Sequence, residues 1–413
     1  MIKVSTTMEM KIPSKVLKRD SYVSRIIPFM RKPIIKVLTG QRRVGKSYLL
    51  FQLIEQILKE EPQANVIYIN KEDLEFDFIQ DAKGLNDYVV SKFKSEGMNY
   101  IFIDEIQDIT DFEKALRSLL LNERNDIYIT GSNARMLSGE LATSLTGRYI
   151  EFSIYSLSYP EFLRFHNLND SDSSLSLFSR FGGFPYLINL PLEEEIVSEY
   201  LKNIYSTILF RDIVSRYNLR NTNILEKLVQ FLADNTGSIF SAKSISDFLK
   251  SQNTNISSNQ IQTYVGYLTN AFLIHKVERY DMVGKRIFTI GEKYYFENLG
   301  LRNIIVGYKP QDAGKILENL VYNHLLFIGF KIKIGALGAN EIDFICEKRA
   351  EKIYIQVALQ LTEETTIQRE FGNLLKIPDN YPKMVITNDR FTGNSFEGIK
   401  HLYIGDFLLL EDF

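Results

Sequence analysis

At 413 residues the chain is too long for one hydrophobic core, so two or three domains are expected. With 45% hydrophobic and 24% charged residues it reads as folded rather than disordered, and a net charge of -2 disfavours non-specific nucleic-acid binding by overall charge while allowing a local basic patch. The single cysteine, Cys346, excludes an internal disulfide and fits a reducing compartment. No apolar run approaches the roughly 18–20 residues of a membrane span. The basic N-terminus (Lys11, Lys15, Lys18, Arg19) lacks the apolar core of a signal peptide, so a cytoplasmic protein without a membrane partner is expected.

Residues 22–31 read as a helix, followed by Pro33 and a strand over 36–38. Then come Gly40, the four residues Gln41, Arg42, Arg43 and Val44, and Gly45, Lys46 and Ser47. A loop that wraps a polyphosphate must aim several backbone N–H groups inward, and glycines free of a Cβ permit that. A helix over 48–59 follows, with Leu49, Leu50, Leu53, Ile54, Ile57 and Leu58 at helical spacing. Its positive end would face the phosphates. Lys46 can reach the β- and γ-phosphates, and the Ser47 hydroxyl can ligate Mg²⁺. Gly40, Gln41, Arg42, Arg43, Val44, Gly45, Lys46, Ser47 and Tyr48 are therefore the candidate nucleotide-binding residues.

A second buried strand spans 65–70 and a helix 85–94, before the segment Tyr100-Ile-Phe-Ile-Asp-Glu-Ile-Gln107. An apolar strand that ends in two carboxylates delivers them to the edge where open α/β sheets bind ligands. Asp104 would hold Mg²⁺ and Glu105 would polarise the attacking water. The next strand, over 126–131, ends in Thr130, Ser132 and Asn133. They sit where a γ-phosphate sensor belongs, or where an N-cap would start a helix at Ala134. Arg148, before a strand over 149–152, either neutralises transition-state charge, in cis or from a neighbouring chain, or forms a structural salt bridge. Repeated strand–helix alternation predicts a parallel sheet with crossover helices.

Gly40 to Ser47, the Asp104-Glu-Ile-Gln107 edge, Thr130-Gly-Ser-Asn133, Gly147-Arg148 and Leu157-Ser-Tyr-Pro-Glu-Phe162 occur in that order. Over most of its length the chain resembles the AAA-type ATPases of bacteria and archaea whose C-terminal half was long catalogued as a domain of unknown function. The resemblance implies ATP rather than GTP. Asn70-Lys-Glu-Asp73 spells a guanine-reading motif, but it follows the second strand, too early to read a base.

Residues 166–176 read as a polar loop, and Gly182-Gly183 as either a lid signature or a turn between helices. A long helix over 193–217 carries Arg211, a candidate lid sensor. Helices over 223–235, 245–251 and 259–270, then a hairpin pairing 272–280 with 285–290 around Gly284, suggest a winged helix. Its second short helix begins Ser258-Asn-Gln-Ile-Gln-Thr-Tyr264 without Lys or Arg, and Lys285-Arg286 is the wing's basic pair. DNA binding and a protein-contact role both stay open.

A helix with Glu318, a strand with Asp343 and a next strand over 352–359 resemble the PD-(D/E)XK nuclease fold, in which acids hold Mg²⁺ and a lysine positions water. Glu318 and Asp343 are thus candidates for a second metal site. Gln356 is a poorer, neutral ligand and Ala358 supplies no cation, so the fold is expected to persist without nuclease activity, although Glu341 offers another carboxylate. The four histidines lack metal-ligand spacing.

The expected architecture is α/β: a P-loop NTPase parallel sheet with flanking helices (1–160), a helical lid (161–222), a winged-helix-like region (223–300) and a C-terminal α/β nuclease-like domain (301–413). ATP and Mg²⁺ are the expected cofactors, with Glu105, Lys46, Arg148 and Asn133 as catalytic candidates. Ser47 and Asp104 are the metal candidates of the first site. The expected function is an ATP-hydrolysing switch coupled to a half that binds DNA or protein. The alternatives are an ATP-dependent nuclease and a scaffold ATPase that contacts protein only. Self-association is also open.

Overall fold

The structure, a computed structural model, describes residues 13, 16–134, 145, 147–284, 286–287, 291–338, 340–361, 364–390 and 395–412. Two units emerge from the backbone: Met1–Tyr155 with Asn270–Phe272, and Ser156–Thr269 with Leu273–Phe413. The first ends short of the expected boundary at 160.

In the first unit, apolar runs become strands and amphipathic segments become crossovers. The elements are α1 (Asp20–Ile26), β1 (Ile35–Thr39), α2 (Lys46–Glu60), β2 (Asn65–Asn70), α3 (Ala82–Ser91), β3 (Asn99–Asp104), α4 (Phe112–Leu119), β4 (Asn125–Gly131) and β5 (Tyr149–Ser153). β1, β3 and β4 are buried along their whole length, as strands covered on both faces must be. Every pairing is parallel, in the order β2-β3-β4-β1-β5. Parallel neighbours need helical crossovers, and α2, α3 and α4 supply them. Leu85 and Val89 of α3, with Phe112, Leu116 and Leu119 of α4, pack on Ile67, Ile101, Ile103, Ile127 and Ile129. Burying each such side chain stabilises the fold by about 1.5–3 kcal/mol.

The helix expected over 22–31 stops at Ile26 and tightens into a 3-10 turn, Ile27–Phe29, at Pro28. At the N-terminal edge of the sheet, the Lys36 ammonium and the Asp126 carboxylate form a fully buried ion pair. Tyr128 donates to Asp126 at 2.7 Å and stacks on Phe102. The helix expected to start at Ala134 lies outside the described residues, which break off after 134.

The second unit begins with α5 (Tyr159–His166), α6 (Asp172–Phe181) and α7 (Glu194–Thr207), which runs on as a π-helical stretch, Ile208–Ser215. Ser158 and Glu161 form a capping box at the start of α5. Gly182 and Gly183 form a packing turn: a Cβ on Gly183 would stand 2.3 Å from the Leu157 carbonyl oxygen, and Gly182 has φ +71°. Arg211 is exposed on the π-helical stretch.

Next come α8 (Thr222–Asp234), α9 (Ala242–Ser251), α10 (Ser258–Asn270), β6 (Ile274–Val277), β7 (Arg279–Asp281), β8 (Arg286–Ile287), β9 (Lys293–Phe296) and α11 (Leu299–Val306). The hairpin around Gly284 forms at its tip, where β7 pairs with β8 through Tyr280 and Ile287, but its base departs from the expected pairing. β6 pairs with β9, further along the chain than 285–290, and the β7/β8 tip joins another sheet. Lys285 and the side chain of Arg286, the expected basic pair of the wing, lie outside the described residues.

The chain closes with α12 (Ala313–Phe327), β10 (Lys331–Leu337), β11 (Asn340–Lys348), β12 (Glu351–Ala358), α13 (Glu364–Leu375), β13 (Lys383–Thr387), β14 (Ser395–Phe396), β15 (Ile399–Tyr403) and α14 (Ile404–Leu408). β10, β11 and β12 form an antiparallel meander, and β13 adds parallel to β12 after α13. The eight-stranded sheet runs β14-β15-β13-β12-β11-β10-β7-β8. Cys346 is free and buried in this sheet. Among the described residues, no helix is long and apolar enough to cross a membrane.

Candidate nucleotide-binding site

β4 stands between β1 and β3, so the loop leaving β1 and the carboxylates leaving β3 flank the tip of β4. The loop turns through left-handed backbone at Arg43 (φ +72°) and Gly45 (φ +98°), and α2 starts at Lys46. Gly40 is required by space: a Cβ there would lie 2.0 Å from the Ile154 carbonyl oxygen. Lys46 is buried, and its ammonium donates to the carbonyls of Gly40 and Gln41, each at 3.0 Å. The same ammonium lies 3.7 Å from Glu105.

The carboxylate pair is wired through β4. Thr130 donates its hydroxyl to Asp104, and its oxygen accepts the Glu105 backbone N–H at 2.9 Å. Tyr68 adds a longer bond to Asp104 at 3.3 Å, and the Ser47 hydroxyl bonds the same carboxylate. Glu105 breaks the strand: it takes the left-handed conformation (φ 56°), which costs a non-glycine residue roughly 1–3 kcal/mol. That kink turns its carboxylate toward Ser132, which donates at 3.0 Å, and toward the Gln107 amide.

Electrostatics separate the two acids. Burial, then the neighbouring Glu105 charge, push Asp104 above the usual carboxylate range. Burial pushes Glu105 up too, but the Lys46 ammonium, the Arg42 guanidinium and the bonds from Gln107 and Ser132 outweigh it and hold its pKa down. Glu105 is therefore an ionised base fixed beside a cation. An incoming anion competes with it for Lys46 and raises its basicity.

The remaining candidates divide. Gln41 is fully buried and donates to the Phe272 carbonyl at 2.8 Å, which ties the loop to the Asn270–Phe272 segment of the same unit. Arg42 pairs with Glu72 at 2.7 Å. Arg43 is exposed, Val44 is buried, and Tyr48 is 47% exposed at the start of α2. Asn133 is buried beyond β4; Thr130 of β4 bonds Asp104, and Ser132, just past the strand, bonds Glu105.

Arg148 requires a correction. β5 runs parallel to β1 with Ile35 opposite Tyr149, so Arg148 precedes the sheet's opposite edge, about 16 Å from the end of β1 at ~3.3 Å per residue. Its side chain is exposed. It does not complete its own chain's nucleotide edge.

In the second unit, Glu318 of α12 and Asp343 of β11 are brought together, as a second metal site requires. A side chain missing from the sequence reading stands between them. Lys293 of β9 places its ammonium 2.8 Å from Glu318, 2.7 Å from Glu341 and 3.5 Å from Asp343. The only sequence signal was a lysine in an otherwise aromatic strand, Lys293-Tyr-Tyr-Phe296. Among the described residues, no group of three or more His, Cys, Asp or Glu side chains is arranged to hold a metal ion.

The parallel sheet, its loop and the acids define the class: a P-loop ATPase domain of the AAA type. An AAA-domain family model matches residues 32–163, and a model for a domain of unknown function (DUF8612) matches 174–312. A Haemophilus influenzae protein described as uncharacterized is 38% identical over 403 residues, covering 95% of this chain and 99% of the relative. Uncharacterized protein MJ1544 of Methanocaldococcus jannaschii is 33% identical over 420 residues, covering 97% and 90%. The chain belongs to one family with these two relatives, and its residues 32–163 form an AAA domain. Among solved structures, the Walker-type ATPase PABY2304 of Pyrococcus abyssi matches with a TM-score of 0.46 at 15% identity, covering 74% of this chain and 99% of that one. Aeropyrum pernix ORC1 in complex with DNA gives 0.31 at 14%, covering 71% and 93%.

Proposed function

We propose that this chain is a Mg²⁺-dependent ATPase switch that hydrolyses ATP at the 40–47 loop and passes its nucleotide state to the C-terminal half. The convergence of Lys46, Ser47, Asp104 and Glu105 at one sheet edge carries the reading. The residues fit the cofactor. Gly40 lets the loop pack against the Ile154 carbonyl, which a Cβ would strike, and the Lys46 ammonium is held by two neutral carbonyls that phosphate oxygens can replace. Ser47 and Asp104, already bonded, would hold Mg²⁺, which neutralises phosphate charge when bound. Glu105 accepts the proton of the attacking water, with Ser132 and Gln107 holding its carboxylate. Thr130 keeps the two acids in register.

For the output, the exposed face of α10 supports a protein-contact role. Asn259, Gln260, Gln262 and Thr263 are exposed there, and none can neutralise a phosphate. DNA contact through the winged-helix-like region remains the competing output, read from the order of helices and hairpin. ATP turnover measured with and without single- and double-stranded DNA tests both levels. Turnover lost in Lys46→Ala supports the ATPase assignment. Stimulation by DNA that falls steeply with salt would replace the protein-contact output with a DNA one.

A further inference from the structure

The order α12-β10-β11-β12-α13-β13 and the positions of Glu318 and Asp343 match what a PD-(D/E)XK-like nuclease requires, so a divalent ion is the occupant such a fold implies. The residues present do not fit it. We infer that the Lys293 ammonium is the permanent cation of this cluster, standing where the divalent ion would be held, and that the domain keeps a nuclease-like frame as a metal-free binding module. The inference rests on the nuclease-like reading of the C-terminal sheet and is independent of the ATPase proposal.

The geometry argues for it in three ways. First, an ammonium carries three donors, and three carboxylates surround this one: Glu318 at 2.8 Å, Glu341 at 2.7 Å and Asp343 at 3.5 Å. A metal ion bound by the same oxygens would need them at about 2.0–2.6 Å from a shared centre, and the ammonium stands at that centre.

Second, the neighbours fix the acids around the lysine. Tyr295 donates its hydroxyl to Glu318 at 2.6 Å, and the Val357 N–H donates to Asp343 at 2.9 Å. The side-chain oxygen of Gln356, where the nuclease pattern expects a carboxylate, accepts the Asp343 N–H at 3.4 Å. The third acid has thus been replaced by a neutral group that braces the backbone.

Third, the cation reaches the cluster from β9, outside the α12-β10-β11-β12-α13-β13 core, and its side chain is 4% exposed. A lysine meant to activate water beside a metal would need access to solvent and substrate, whereas this one is enclosed. The cluster therefore fastens β9 to α12 and β11. Cleavage chemistry is lost and the fold's surface remains.

The test is Mn²⁺ binding by full-length, nucleotide-free protein, read by the loss of free Mn²⁺ signal in electron paramagnetic resonance. The parent should bind no Mn²⁺ that depends on Asp343. Lys293→Ala should gain one Mn²⁺ per chain, lost again in Lys293→Ala/Asp343→Asn, and Lys293→Arg should gain none. If Lys293→Ala unfolds without metal, refolding on Mn²⁺ addition supports the inference. Failure to refold while Lys293→Arg folds overturns it. A parent that binds Mn²⁺ and loses it in Asp343→Asn, or a folded Lys293→Ala that gains none, also overturns it. ATP turnover measured on the same samples separates this outcome from the fate of the ATPase proposal.

Discussion

Glu105→Gln is the sharpest perturbation of the nucleotide site because it removes charge while keeping shape. At 3.7 Å and an effective dielectric of about 20, the Glu105–Lys46 attraction is about 4–5 kcal/mol before desolvation. Removing it costs the phosphate site nothing, since Lys46 keeps the Gly40 and Gln41 carbonyls and an incoming anion no longer competes with a carboxylate. The amide oxygen of the variant still accepts from Ser132 and Gln107, so the 105–107 turn should hold. ATP affinity should therefore stay the same or tighten. The proton acceptor is lost, and turnover should fall roughly 10²–10⁴-fold, a barrier increase of about 3–5 kcal/mol. Fluorescent ATP-analogue titration reads the affinity, and single-turnover phosphate release reads the step. Parental turnover in a folded variant would refute the base assignment. Lost affinity with the fold intact would refute the claim that Glu105 opposes binding.

Lys46→Ala should weaken ATP binding by about 10²-fold, the value of a charge-assisted contact, in a variant that still folds; unchanged affinity in the same titration contradicts the site. Thr130→Val deletes the hydroxyl that bonds Asp104 and the Glu105 N–H, so turnover should drop at least about tenfold with native circular dichroism, and parental turnover counts against the relay. Gly40→Ala places a methyl 2.0 Å from a backbone oxygen and should destabilise the first unit by more than about 2 kcal/mol in urea unfolding, a claim that a parental midpoint would defeat. Burial lowers the pKa of His324 from 6.5 to about 4. The unfolded chain then takes up the proton first, so stability is full above pH 6.5 and is lost as pH falls toward 4. His324→Leu should remove up to about 3 kcal/mol of that acid loss in urea midpoints compared at pH 7 and pH 4, and an unchanged pH dependence would exclude this cause.

What was readable in the sequence was what is local. The loop from Gly40 to Ser47 is one contiguous turn whose chemistry demands its glycines, and Asp104 and Glu105 end an apolar strand. Their positions follow from strand direction alone. Of the alternatives for Arg148, action within its own chain fails on the same rule. A residue preceding a parallel strand sits at the sheet's other edge, and only the pairing of Ile35 with Tyr149 exposes this. The partners of the acids were half readable: Thr130 and Ser132 stood at the right tip, but which of them bonds which acid depends on the left-handed kink at Glu105. Lys293 was not readable. Its role exists only because β9 pairs with β6 and brings it against α12 and β11, and no spacing in Lys293-Tyr-Tyr-Phe296 encodes that.

The two buried lysines show why one cluster is a ligand site and the other is not. Lys46 faces two neutral carbonyls and one carboxylate at 3.7 Å, so much of its charge is available to an incoming anion. Lys293 faces three carboxylates at 2.7, 2.8 and 3.5 Å, a gross attraction of about 15–17 kcal/mol at the same effective dielectric. That is three to four times the Lys46 figure. No phosphate could draw Lys293 out without leaving three acids facing one another, whereas Lys46 needs only to exchange backbone oxygens for phosphate oxygens. The same residue type, equally enclosed, is thus a receptor in one unit and a rivet in the other, and the count of neighbouring carboxylates decides which.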